Sequence, residues 1–312
     1  MALFDSRKVI VAAKFGATAT GTDSISISNE DVRLAPEVGT GSFKCINGVL
    51  GNKTAWRNTD DTSVNGAAIE SYLTGNDATG TALATLPDWD EVYQICALTK
   101  TVGLDTVAYT PSQTQPSNAS TVSIWRDGRK RTLTGAIGSL TITGTVGEPV
   151  SQSVAVSGFT TITSTAEANP TAACIDDELL LVLKSIDTFA IGASNYKAQS
   201  FTLTQGNDNQ KLYFMGLKDY ERVDFDAMLE VTYLKENEDI YTVFANGTES
   251  SVVITIGAVD GKAVKISCPY AIVETITETS IQMKEAVTVT FNLTGDATGI
   301  NQWTLSYGNV IP

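Results

Sequence analysis

A chain of 312 residues with 21 basic and 35 acidic side chains carries a formal charge of −14, a balance that opposes binding to a nucleic-acid backbone, where Lys and Arg must displace counterions. Hydrophobic residues make up 42% of it, yet no apolar run approaches the ~20 residues of a membrane helix. There is no histidine, which removes the side chain most used for acid–base work near neutral pH and for ligating zinc.

The first fourteen residues, M-A-L-F-D-S-R-K-V-I-V-A-A-K, lack the basic-then-apolar pattern of a cleaved export signal. Within them, Lys8 to Lys14 reads as a strand. Arg33 to Asp61 has few periodic apolar residues and many Gly, Asn and Thr, with turn signals at Asn47-Gly48 and Gly51-Asn52. It reads as a long loop, and long loops inside compact domains usually carry function.

Leu86 to Phe159 is better ordered. Pro87 opens a helix with Asp88, Asp90 and Glu91 in its first turn, where the helix dipole favours acids. Trp89, Val92, Tyr93 and Cys96 then recur at i, i+3, i+4 and i+7, an apolar stripe. Asp127-Gly128 marks a hairpin, and Leu140/Ile142 and Val154/Val156 alternate as strands do.

A weaker copy of this stretch returns from Glu236 to Leu293. Asn237 caps a second helix, Glu238 and Asp239 fill its first turn, and Ile240, Val243 and Phe244 form its stripe. Asp260-Gly261 marks a second hairpin, and Val264/Ile266/Cys268, Ile272/Glu274/Ile276 and Val287/Val289/Phe291 alternate. Gly128 to Phe159 spans 31 positions and Gly261 to Phe291 spans 30. Such spacing predicts two related domains, 1–165 and 177–312, joined by a linker at 166–176 that falls within Thr160 to Asp176, a stretch rich in Thr, Ala and Asn with Pro170 inside. Between the copies, Val223, Phe225, Ala227, Leu229, Val231 and Tyr233 alternate with mostly polar residues, predicting one strand. Asp177 to Lys184 is ambiguous between helix and strand; strand is favoured, as a partner for Lys8 to Lys14. The fold class is therefore mainly β: two antiparallel sandwich or barrel domains, each with one short helix.

The chemistry expected of this chain is sparse. Cys45, Cys96, Cys174 and Cys268 lie far apart with no C-x-x-C, as expected of reduced, mostly buried thiols made in a cytoplasm, with a disulfide the less favoured alternative. Without histidine there is no Ser-His or Cys-His pair. No phosphate-binding glycine loop is present, and Gly135-Ala136-Ile137-Gly138 lacks the spacing of a dinucleotide site. Asp60-Asp61 and Asp176-Asp177-Glu178 have no EF-hand pattern. No catalytic residue, metal ligand or cofactor is predicted. Arg126, Arg129, Lys130 and Arg131 flank the first Asp-Gly turn, either as a solvated hairpin tip or as charge contacts with an acidic neighbouring subunit.

The residues resemble a known family. Trp89–Val102 (W-D-E-V-Y-Q-I-C-A-L-T-K-T-V), Val107–Ser112 (V-A-Y-T-P-S), Ser120–Gly128 (S-T-V-S-I-W-R-D-G), Leu133–Ile142 (L-T-G-A-I-G-S-L-T-I) and Ser153–Phe159 (S-V-A-V-S-G-F) are similar to the tail tube proteins of tailed bacteriophages. The likeness is to the form of roughly 300 residues found in long, non-contractile tails. Ile137 departs by standing where a basic residue is usual, and Ala97-Leu98 replaces the usual Gly-Phe. The resemblance implies a structural virion protein with no enzymatic activity. It implies trimeric, pseudo-hexameric rings (hexameric rings being the alternative) that stack head to tail into the conduit for genome ejection. Tape-measure, tail terminator and baseplate or tip proteins are its expected partners, and DNA passes without specific binding. On that reading Glu70, Asp224, Asp226 and Glu230 line the channel. The loop bearing Pro36, Phe43, Leu50 and Trp56 docks onto the next ring. A different β-sandwich surface or fibre subunit, or a carbohydrate-binding module, is the rival expectation.

Overall fold

The computed structural model describes residues 9–28, 32, 34, 37–44, 52–63, 67–75, 86–116, 119–160, 165–171, 180–185, 187–257, 262–296 and 300–308, with the backbone alone at 37–44, 52–63, 67 and 213. Among these residues antiparallel strands dominate, with two short α-helices, as the period-two patterns predict.

Strand β1 (Val9–Lys14) buries Val11, Ala12 and Ala13 and pairs antiparallel with the short β2 (Ser24–Ile25). The expected long loop is instead a hairpin, β3 (Glu37–Lys44) paired antiparallel with β4 (Asn52–Ser63). Backbone pairing alone builds such a ribbon, so the apolar alternation that advertises a half-buried strand is not required of it. Phe43 and Trp56 lie on this hairpin, opposite Lys53 and Gly41; Pro36 and Leu50 lie outside the described residues.

Next come β5 (Ala67–Tyr72), α1 (Asp90–Ile95), and the hairpin of β6 (Leu98–Val102) with β7 (Thr106–Pro111). The α1 stripe is buried as predicted, with Trp89, Val92, Tyr93 and Cys96 each at most 2% exposed. Its acids do more than answer a dipole: Asp88 accepts the Ser26 N–H at 2.6 Å, and Glu91 accepts from Lys14 Nζ and the Phe15 N–H, both at 2.9 Å.

Strand β8 (Thr121–Arg126) turns through Asp127-Gly128 into the 17-residue β9 (Arg129–Thr145). Both turn residues have positive φ, 49° and 73°, as a two-residue hairpin of the primed type requires. The start of β9 pairs with β8, and β8 with β1. The remainder pairs with β10 (Ser151–Thr160), and β10 with β5. β11 (Thr165–Ala166) returns to the first residues of β9, and Glu167, beside it, accepts from Trp125 Nε1 at 3.1 Å.

The pairing order then recurs. β12 (Thr188–Ile191) and β13 (Ser194–Tyr196) form a hairpin, followed by β14 (Ala198–Thr204), the hairpin of β15 (Asn207–Phe214) with β16 (Leu217–Phe225), and β17 (Met228–Leu234). After α2 (Asp239–Asn246) come β18 (Ser250–Ile256), the 19-residue β19 (Ala263–Ile281), β20 (Lys284–Leu293) and β21 (Thr304–Gly308). β12 pairs with β18 and β18 with the start of β19. The end of β19 pairs with β20, β20 with β17, and β21 returns to the start of β19.

Several expectations are corrected. The run Val223 to Tyr233 is two strands, not one. It breaks at Asp226-Ala227, where Asp226 N–H bonds Gly206 O at 3.1 Å. Gly206, at φ +69°, permits this approach, for a Cβ there would lie 1.9 Å from the Asp226 carbonyl oxygen. Val223 is consequently exposed and Arg222 buried. Leu180 and Val182 bridge to Thr74 and Pro149, not to β1, whose partners are β8 and β2. Phe244 on α2 is exposed while Ile240 is buried. β18 and β19 pair antiparallel as the second hairpin predicts, with Ile256 opposite Val264; Asp260 and Gly261 lie outside the described residues.

A continuous apolar core runs from Val11 to Tyr307. Two ladders join the chain's early and late strands: β14 on the end of β9, and β21 on β7.

Candidate functional site: a hydroxyl-lined sheet face

The ladders β5–β10–β9–β14–β17–β20–β19 make one continuous sheet. Its register aligns the side chains into rows. Tyr72, Ser151, Thr143, Thr202, Glu230, Thr290 and Thr275 stand opposite one another in turn. A parallel row holds Glu70, Ser153, Thr141 and Thr204, and a third holds Thr145, Ser200, Thr232, Thr288 and Thr277. On β5, β10, β9, β14, β17 and β20 these residues alternate with buried Ile69, Val154, Ile142, Leu203, Val231 and Val289, and on β19 with half-buried Ile276. One face of the sheet is therefore core, and the other is hydroxyl with two carboxylates and, within these rows, no cation. Thr232 and Thr288 hydroxyls lie 2.9 Å apart, linking neighbouring strands.

The structure divides the residues expected in a channel. Glu70 and Glu230 lie exposed on this hydroxyl face. Asp224 lies on the β15–β16 hairpin opposite Asp208, and Asp226 in the connection to β17, so neither belongs to it. The hydroxyl rows themselves went unread in the sequence. Thr and Ser at alternate positions were the available signal, but only the register aligns them across strands.

The basic cluster is engaged within its own chain. Lys130 Nζ sits 3.6 Å from Glu167 and 4.7 Å from the centre of the Trp125 ring, and Arg131 Nη1 donates to Leu34 O at 3.1 Å. Arg126 and Arg129 flank the turn, opposite each other.

A second polar cluster lies inside the core. Asp90, 6% exposed, accepts from Tyr109 Oη at 2.7 Å on one oxygen and from Lys100 Nζ at 2.8 Å on the other. Tyr93 Oη donates to Gln152 Oε1 at 2.6 Å and lies 2.5 Å from Tyr307 Oη. Burial pushes the Tyr93, Tyr109 and Tyr307 hydroxyls well above their ordinary range. These groups satisfy one another and tie α1 and β7 to β21; the arrangement is a strut between early and late strands.

Among the described residues no group of three or more His, Cys, Asp or Glu could hold a metal ion, while Asp176–Glu178 and the side chains of Asp60 and Asp61 lie outside them. Cys96 and Cys268 are buried free thiols; Cys45 and Cys174 fall outside the described residues. No protein-family model matches the chain, and no curated protein matches its sequence.

Proposed function

We propose that this chain is a ring-forming structural protein whose copies join sheet to sheet around a channel. More particularly, it is the tube subunit of a long bacteriophage tail, a virion component that carries genome and performs no reaction.

The observation that carries this reading is an asymmetry between two long strands. Along one edge of β9, β8 occupies the start and β14 the end. Along the same edge of β19, β18 occupies residues up to Ala271. Beyond it, among the described residues, no strand covers Ile272 to Ile281 on that side. Natural proteins rarely leave so long an edge unprotected, because it templates pairing with another chain. The opposite end of the same sheet is β5, where Ser28 N–H already bonds Glu70 O at 2.7 Å. A second copy bringing its β5 end to β19 would continue the sheet and repeat between chains the junction that β14 makes within one. Such a contact is heterologous, and a fixed rotation closes it into a ring; a twisted sheet closed on itself is a barrel without edges. Three chains, each with two repeats of the strand order, give pseudo-sixfold symmetry.

The hydroxyl face then lines the lumen. Hydroxyls with scattered carboxylates at Glu70 and Glu230 offer phosphates no cation to bind, so DNA slides without adsorbing. Tape-measure, terminator and tip proteins would occupy the lumen and the two ends of the tube.

Proline at the open edge tests the reading. Successive N–H groups along a strand point to opposite edges. Of Ile276→Pro and Thr277→Pro, one therefore spares the β20 ladder and blocks only the outer edge. That variant should melt like wild type yet stay monomeric in analytical ultracentrifugation, while wild type forms rings or tubes visible by negative stain. Tubes from both variants would sink the proposal.

A further inference from the structure

We propose that the β15–β16 hairpin is an axial plug: its apolar tip inserts into an apolar pocket at the opposite pole of a second copy. This deepens the tube reading by naming the residues that stack one ring on the next.

At the hairpin tip, Phe214 is 66% exposed, Met215 fully exposed and Leu217 46% exposed. A tight Met215-Gly216 turn, with Gly216 at φ +83°, presents them together. Scattered surface apolar residues need no explanation, but three at one protruding tip do. The hairpin base is rigidly seated. Asn207 Nδ2 donates to Gly138 O at 2.8 Å and Cys96 O at 3.1 Å, and Gln115 Nε2 donates to Arg222 O at 2.6 Å. Tyr220 packs against Phe159 with the tilted rings 4.9 Å apart between centres, beside Ile137.

The receiving pocket, of about 420 Å³, lies among Leu183, Phe189, Tyr196, Phe201, Val231 and Ile254, with Val146 also in its lining and Lys184, Asp187 and Lys197 among its polar residues. That volume is at the lower end of what encloses a small molecule, and an unbranched Met with a Phe ring suits an irregular apolar hollow.

Pocket and tip lie at opposite poles. Val146 directly follows the last residue of β9. β14 runs antiparallel to β9 from that end, and the hairpin continues the same way. Lys218, next to the tip, sits 4.7 Å over the Phe159 ring, and Phe159 pairs with Thr134 near the start of β9. Thr134 to Val146 is roughly 40 Å of extended chain at ~3.3 Å per residue. One molecule therefore cannot fill its own pocket with its own tip. A protrusion at one pole and its complement at the other make a head-to-tail contact that does not close, which yields a filament.

The test places a photo-crosslinking phenylalanine analogue at Met215 of the full chain, mixed with isotope-labelled wild type. Crosslinks should join the tip of one copy to peptides containing Phe189 or Tyr196–Phe201 of another. Met215→Asp should raise the critical concentration for tube growth about tenfold or more, and Val146→Trp, which obstructs the pocket mouth, should do the same with an unchanged melt. Crosslinks confined to one copy or directed elsewhere overturn the plug, as do normal tubes from both variants or a wild-type chain that stays monomeric. The two proposals fail separately: wild-type rings that never stack defeat the plug alone, and unclosed head-to-tail fibres defeat the ring alone.

Discussion

Gln205 is the side chain on which the junction between β14 and β9 turns. It is 1% exposed. Its Nε2 donates to Cys96 O at 2.6 Å, and its Oε1 accepts the Leu140 N–H at 3.1 Å. Its own N–H bonds Leu140 O at 2.9 Å. In Gln205→Leu the Leu140 N–H loses this acceptor inside the core, at about 1–3 kcal/mol. The Cys96 carbonyl still has Asn207 Nδ2 at 3.1 Å, so its loss is small. The net cost should be about 2 kcal/mol. Gln205→Glu should cost more, because a carboxylate oxygen would face the Cys96 carbonyl and a charge would be buried. Protonation restores the donor, so the introduced acid has a raised folded pKa. Its penalty should be least below the ordinary glutamate value of about 4.3 and grow as pH rises through the folded one. Urea unfolding of both variants between pH 4 and 8 measures this. If Gln205→Leu lies within ~0.5 kcal/mol of wild type and Gln205→Glu shows no added pH slope, the buried amide does not hold the junction.

Other predictions follow from single features. The β19–β20 turn uses Gln282 and Met283 at φ 48° and 62°, a conformation that costs non-glycine residues about 1–2 kcal/mol each; Gln282→Asn with Met283→Gly should gain about 1 kcal/mol in a thermal melt, and no gain would show the turn to be relaxed. Burial pushes the Cys96 and Cys268 thiols far up, so mass spectrometry after iodoacetamide at pH 8 should find both unmodified until denaturant is added. Burial alone would raise Asp23, but hydrogen bonds from Thr20 and Lys14 outweigh it and hold the carboxyl low; Tyr241 and Lys235 do the same for Glu278. Stability from both is present above the ordinary carboxylate range and lost as pH falls through the lower folded values. Asp23→Asn with Glu278→Gln should therefore flatten the decline in urea midpoint from about pH 5 to 3.

Local chemistry was legible without the fold. The α1 stripe, the Asp127-Gly128 turn and the alternation at Leu140/Ile142 and Val154/Val156 each follow from backbone period or from residues that tolerate positive φ, properties carried by a few neighbours in the chain. Where a property belongs to a pair of distant segments, the linear pattern was silent or misleading. The β3–β4 hairpin looked like loop because backbone ladders need no apolar code. Asp90 looked like a dipole acid because Lys100 and Tyr109 reach it only once the β6–β7 hairpin folds back on α1, and the neighbouring Tyr93–Tyr307 contact forms only when the last strand returns. β1 could not be matched to β8 from composition, since any Val- and Ile-rich strand suits any other and pairing is chosen by the packing of the whole core. The hydroxyl face, the open edge of β19 and the separation of tip from pocket are likewise products of register and strand order. Period and turn chemistry act over neighbouring residues and can be read from a line of letters; which edges meet, and which remain open, is decided by burial shared among strands far apart in the chain.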